Sequence, residues 1–463
     1  MKHILFTVFF LASSLDNSQP VVINGSAPGA EGKKIRLLVP SDLLTFVEKQ
    51  IAGSDIGPDG SFELSFALDK TRPAYLSIDF HRAELFLEPG MGYELEVDPM
   101  NYGNGSDLDP FLNSQDLGIR FTETGPDELN FLIRRFDTRY DSFLLVNFNA
   151  LYRDRNKARI DTFRVHTARE FPEPVRPYLA DYIRYRIAVL EQLAQAKSQA
   201  QLAKAYFSDA PVLYENPAYM DLFNQFFTKY ITATSRVLKF KDYNAILKGP
   251  DSYGRMMKTL AEDTLLKKPQ LREMVLLKGL SELFRQPGYD PESILLAVQI
   301  ISEKSNFPEN RLVARNLITL LNHLRPGTPA PDFTLNDINQ EKVSLRGLKG
   351  KPVLLGFWTT GCQECLAEME RMKELYVKYG DRVHFVSISA DKEFLRMKYF
   401  LNLKKDFSWT FLHIGDSLDV LKDYDVRSFP LFVLIDENGN ISRCPAELPS
   451  AGLEVSVQKL SAP

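Results

Sequence analysis

Apolar and polar residues alternate with period two in Phe62-Glu63-Leu64-Ser65-Phe66 and again in Tyr93-Glu94-Leu95-Glu96-Val97, as in strands that bury one face. Pro58-Asp59-Gly60-Ser61 and Glu88-Pro89-Gly90 punctuate these runs, and their proline and glycine supply the fixed and positive φ values of tight reversals. A small antiparallel β-domain is expected over residues 21–105. After a polar stretch from Asn101 to Gly118 the period lengthens, and Leu129, Ile133, Phe136, Tyr140 and Phe143 fall on one face of a helix. Helical segments continue to about Leu324 with no fixed repeat, their ends marked by Pro172, Pro174, Pro177, Pro211, Pro269 and Pro287-Gly288. They predict a central all-helical domain over 106–325. Within it Arg184, Arg186, Tyr178, Tyr182 and Tyr185 read as a solvated face beside a packed one, not as a binding site.

The helical pattern stops at Arg325-Pro326-Gly327-Thr328-Pro329-Ala330-Pro331, where three prolines in six residues favour an extended linker. Beyond it, strands alternate with helices: strand 353–358, helix 366–379, strand 383–389, helix 392–401. A hairpin of 431–436 and 441–444 around Glu437-Asn438-Gly439-Asn440 and a last helix, 453–460, complete a βαβ–ββα order. The chain is thus expected to be multidomain, α+β and α/β, with its α/β domain at 326–463.

A chain of 463 residues exceeds one hydrophobic core, in keeping with several domains. Its 44% hydrophobic and 25% charged residues argue against both disorder and a membrane bundle. A net charge of -4 and the absence of a long basic block give nucleic acid no electrostatic footing. Lys2 and His3 precede the apolar run Ile4 to Leu11 and the small residues Ala12-Ser13-Ser14, the order of a secretory signal peptide, placed at 1–20. The run falls short of the roughly 20 residues that span a bilayer, so cleavage is expected. No cysteine follows it, so no lipid anchor is expected; a buried first strand is the alternative. Export to the periplasm or cell envelope follows from the first reading.

The three cysteines, Cys362, Cys365 and Cys444, are too few for a disulfide scaffold. Two of them are separated by only two residues, a spacing that favours redox chemistry. Cys362 lies between a buried strand and a helix, where unpaired N–H groups and the helix dipole stabilise a thiolate. It is therefore the expected nucleophile on a partner's disulfide, and Cys365, one turn later, the thiol that resolves the mixed disulfide.

Phe357-Trp358-Thr359-Thr360-Gly361-Cys362-Gln363-Glu364-Cys365, with Pro329-Ala330-Pro331-Asp332-Phe333 before it and Phe429-Pro430 after it, resembles the TlpA/ResA branch of thioredoxin-like proteins. The resemblance covers about Pro326 to Pro463. It implies a thioredoxin fold, with a four- or five-stranded sheet flanked by helices and a thiol-disulfide oxidoreductase activity. It also implies that Pro430 is a cis-proline whose neighbour Phe429 presents backbone groups to a partner chain, with Trp358 part of the same partner-binding surface. Glu368 matches a carboxylate that family members place near the dithiol, where it can carry protons; a solvent-facing helix glutamate is the other reading. Ile23-Asn24-Gly25, Asp59-Gly60-Ser61-Phe62 and Leu87-Glu88-Pro89-Gly90 resemble the β-module that precedes such domains in envelope proteins.

The sequence departs from the family at Gly361, at Gln363-Glu364 and at Glu370, where tryptophan and prolines are common. Negative charge at Glu364 and Glu368 is expected to oppose the Cys362 thiolate, which favours a reductase. The expected partners are envelope proteins with disulfides or dithiols and an unidentified membrane electron donor, with no cofactor. Other readings stay open. The CxxC is half of a zinc site only if further ligands are found. A structural disulfide, a non-catalytic binding protein and a peroxidase with Thr359 before its cysteine are the remaining alternatives. Cys444 is either a small buried residue on a strand or a thiol for a second disulfide.

Overall fold

The computed structural model describes residues 18–461 except 80, 100–116, 123–124, 173–175, 236, 238–239, 250, 285 and 416. Residues 1–17 of the expected signal sequence, Pro174 and most of the polar stretch after Asn101 lie outside the described residues, while Gln19 and Pro20, its last two residues, already belong to the first strand. No helix among the described residues is long and apolar enough to cross a membrane.

Strand Ser61–Leu68 alternates exposed and buried positions because Phe62, Leu64 and Leu68 turn inward. It joins Gln19–Ser26, Gly92–Val97 and Ile119–Phe121 in one four-stranded sheet. A second four-stranded sheet orders Glu48–Asp55, Lys34–Pro40, Arg72–Ile78 and His81–Leu87. Both contribute to one apolar core that includes Ile23, Leu37, Leu76, Leu85 and Leu95. The strands pair antiparallel with one exception, Gln19–Ser26 beside Gly92–Val97, which is parallel. At Gly25 in that pair a Cβ would stand 2.5 Å from the Leu95 carbonyl oxygen, so only glycine fits. Strand Ile119–Phe121 lies beyond the expected edge at residue 105, because Leu117 and Ile119 complete the same core.

Helices follow from Leu129–Tyr152 to Pro308–Asn322. The stripe Leu129, Ile133, Phe136 and Tyr140 is buried as its spacing predicts. Tyr182 and Tyr185 are also buried, and the Arg186 guanidinium lies 3.9 Å from the Tyr140 ring centroid, so the expected packing reading of this cluster holds. Tyr219 is fully buried, and its hydroxyl has no hydrogen-bond partner among the described residues. Removing that oxygen in Tyr219→Phe is expected to stabilise the helical region by about 1 kcal/mol, read as a higher urea midpoint. A lower midpoint would show that the hydroxyl is satisfied.

In the C-terminal region the strand Val353–Trp358 is buried along its whole length. Its side chains alternate between two cores: Leu355 and Phe357 face one, Leu354 and Trp358 the other. That explains a continuous apolar run without alternation, since both faces of the sheet are covered. The sheet has seven strands, ordered Lys342–Ser344, Thr334–Asp337, Thr410–His413, His384–Ser389, Val353–Trp358, Leu431–Ile435, Ile441–Arg443. Four or five strands were expected; the additions are three- and four-residue strands, too short to show a period. The three strands at its middle that begin at Val353, His384 and Thr410 are mutually parallel. Helices Gln363–Tyr379, Phe394–Leu403 and Leu453–Leu460 pack on the Trp358 face. The linker is extended only in its second half: Arg325–Thr328 is a reverse turn, with Gly327 at positive φ and the Thr328 N–H donating to the Arg325 carbonyl (3.0 Å). The segment is fastened where Gly327 N–H donates to the Ile441 carbonyl (2.7 Å) and Ala330 N–H to Gly439 (3.0 Å).

Contacts fasten the three regions together. Asn130 bonds both backbone groups of Phe86, its Oδ1 accepting from the N–H at 2.5 Å and its Nδ2 donating to the carbonyl at 2.8 Å. Arg36 pairs with Asp419 (3.0 Å) and Lys422 with Glu48 (2.9 Å), joining the second β-sheet to the C-terminal region.

Candidate active site

The dithiol helix begins at Gln363, three residues before the expected start, and Cys362 is its N-cap. Cys362 takes an extended conformation, and its Sγ accepts a hydrogen bond from the Cys365 N–H at 3.1 Å. A sulfur therefore does the work of the usual serine or aspartate oxygen, and Cys362 stands at the helix start as expected, although the apolar spacing put the first helical residue at 366. Cys362 and Cys365 are joined as a disulfide, with Cα atoms 5.2 Å apart. Cys362 is half-buried, whereas Cys365 is 1% exposed and belongs to the core beneath the helix. Only the first sulfur is placed to meet a second protein.

Trp358 is 2% exposed, with ring centroids of Phe400 and Phe411 at 5.4 and 5.9 Å. A ring at that depth supports the dithiol from below; the expected direct contact with a partner chain is corrected accordingly. Gly356, two residues earlier on the same face, leaves room for Phe432, whose ring would lie 2.9 Å from a Cβ there. The Phe429–Pro430 peptide is cis. Pro430 directly precedes Leu431, the partner of Phe357 in the central strand, so the loop stands at the end of the sheet from which Cys362 emerges. Phe429 and Cys362 both border the same apolar cluster.

Glu368 is buried, which overturns the solvent-facing reading, and its Oε2 accepts from the Ser450 N–H at 2.8 Å. It lies three residues after Cys365 and so on the same side of the helix. Thr359 is fully buried with its hydroxyl unpartnered among the described residues, and its carbonyl accepts from the Cys362 N–H (3.2 Å). The hydroxyl is thus turned inward, which does not favour the peroxidase reading. Cys444 is only half-buried and lies just past its strand; burial pushes its thiol up to about 11.

A second carboxylate at the site was not legible from local sequence. Asp391, 2% exposed, stands two residues past the strand His384–Ser389 and accepts four hydrogen bonds from three donors on Thr360 and Ser389. Its partner Thr360 is 31 residues away in sequence, so only the fold brings them together.

A vicinal dithiol capping a helix on a mixed sheet, beside a cis-proline loop, defines the class of thioredoxin-like thiol-disulfide oxidoreductases. Residues 326–444 match the AhpC/TSA family. Thioredoxin-like protein YneN of Bacillus subtilis is 36% identical over 121 residues, 26% of this chain and 69% of that protein. Thiol-disulfide oxidoreductase ResA of Bacillus cereus is 33% identical over 138 residues, 29% of this chain and 78% of that protein. The solution structure of a thiol:disulfide interchange protein from Bacteroides sp. shares 29% identity over 30% of this chain and 91% of that one, with a TM-score of 0.28. The chain belongs to the AhpC/TSA family, and its C-terminal region is a thiol-disulfide oxidoreductase of the ResA type.

Proposed function

We propose that this chain reduces disulfides of partner proteins in the cell envelope, with Cys362 as attacking thiol and Cys365 as resolving thiol. The observation that supports it most is the asymmetry of the pair: a half-exposed sulfur at a helix N-terminus, backed by a buried one. In the reaction the Cys362 thiolate attacks one sulfur of the partner's disulfide and expels the other, which takes up a proton. Cys365 then loses its proton and attacks the Cys362 sulfur, releasing the partner's second thiol. Two electrons and two protons pass to the partner, and the chain is left oxidised. A donor must then restore the dithiol; for an exported protein that donor is a membrane carrier. The apolar run at 4–11 supports export, and 326–463 is the catalytic domain in this reading.

Phe429 and Pro430 are proposed to receive the partner's backbone, being half-buried at the end of the sheet where Cys362 emerges. Glu368 is proposed to exchange the resolving proton with Cys365, its neighbour one turn back on the helix. Glu368→Gln is then expected to slow reduction of a protein disulfide by about ten- to a hundredfold and to flatten its pH profile. An unchanged pH profile would leave Glu368 only as the anchor of the turn at Ser450. The direction of electron flow is tested by equilibrating the pair in glutathione and dithiothreitol buffers and counting free thiols by mass spectrometry.

A further inference from the structure

We propose that Asp391 is a positioning residue for the dithiol, holding the turn that presents Cys362 and setting its readiness to ionise by a fixed negative charge. The inference deepens the thiol-exchange reading above and rests on it. The carboxylate lies beneath the turn between the central strand and the dithiol helix. Thr360 N–H donates to both of its oxygens, at 3.0 and 3.1 Å, and the Thr360 hydroxyl to Oδ1 at 2.7 Å. The Ser389 hydroxyl donates to Oδ2 at 2.6 Å and in turn accepts from the Asp391 N–H at 3.2 Å. Ala390 N–H donates to the Trp358 carbonyl at 2.9 Å, so the strand end just before Asp391 is also stitched to the residues leading to Cys362.

Two features make this more than a loop anchor. First, the charge is buried, at 2% exposure, where water screens it little. Second, it is close to the reacting sulfur along the chain: Thr360, which it grips, is two residues before Cys362. Two residues of chain reach at most about 7 Å, so the charge lies within roughly 10 Å of the Cys362 backbone. At that range, with an effective dielectric constant of about 20, a unit charge changes an ionisation constant by about tenfold or more. Its sign opposes the thiolate, while the helix N-terminus favours it.

The test uses the full chain in its reduced form and follows the pH dependence of Cys362 alkylation by iodoacetamide, located by peptide mass mapping. Asp391→Asn removes the charge at constant size, and Cys362 is expected to ionise at lower pH, its ionisation constant rising about tenfold. Thr360→Val and Ser389→Ala keep the charge but each remove a hydroxyl dipole that partly neutralises it. Both are expected to shift Cys362 the other way, by about two- to threefold. Loosening of the turn alone moves all three variants in one direction, so shifts of one sign, or none, would overturn the proposal. If Asp391→Asn does not fold, the two hydroxyl variants decide: no upward shift in either overturns it. A wild-type pair that never closes in glutathione buffer would sink the redox reading, while the alkylation profiles still judge Asp391.

Discussion

Replacing Cys362 with serine is expected to lower the rate of protein-disulfide reduction by at least about a thousandfold, with the fold unchanged. A hydroxyl at that position stays protonated at pH 7 and cannot displace a thiolate. Cys365→Ser should behave differently, because the first attack needs only Cys362. With no resolving thiol the mixed disulfide cannot turn over, and the variant should accumulate as a covalent adduct with an oxidised substrate such as insulin. Non-reducing electrophoresis and intact-mass measurement read the adduct directly. The basis is burial: Cys365, 1% exposed, has no access to a large partner, whereas Cys362 does. Equal trapping by the two variants would show that the helix opens before it reacts, and the assignment of attacker and resolver would fall. Cys444 does not complicate the experiment, since burial holds its thiol up to about 11 and it remains protonated at neutral pH.

Much of this site was legible in the chain itself. The run from Val353 to Trp358 is apolar because it is covered on both faces, and the polar residues after it mark the strand end where Cys362 sits. The last helix was read with its observed bounds, Leu453–Leu460, since Leu453 and Val457 share one buried face. What escaped was non-local. Parallel pairing of Gln19–Ser26 with Gly92–Val97 joins segments about seventy residues apart, and nothing within either strand records it. Asp391 reads locally as a polar residue ending a strand; its meaning comes from Thr360 across the sheet. The dithiol helix began earlier than its apolar spacing indicated because Gln363 and Glu364 are exposed and the cap is a sulfur. Trp358 was expected on the partner-binding surface only through the family resemblance. Here the helix Phe394–Leu403 supplies Phe400 to cover it.

The reduction potential of the Cys362–Cys365 pair is expected near or below roughly -250 mV. Two influences act on the reduced form in opposite directions. The N-terminus of the dithiol helix stabilises a thiolate by up to about 2 kcal/mol in a partly buried setting. Against it stand Glu364 in the first turn, and the buried carboxylates of Glu368 and Asp391. The exposed Glu364 is screened by water and salt and contributes least. At an effective dielectric constant of about 20 each buried charge opposes the thiolate by about tenfold, so the two together outweigh the helix. At neutral pH the reduced state then gains little from ionisation, the disulfide is the favoured form, and the dithiol gives up its electrons readily. A couple near -120 mV would reverse this assignment, the difference of about 130 mV being more than ten-thousandfold in the exchange equilibrium. The chain would then be an oxidant of its partners, with the helix N-terminus prevailing over the carboxylates.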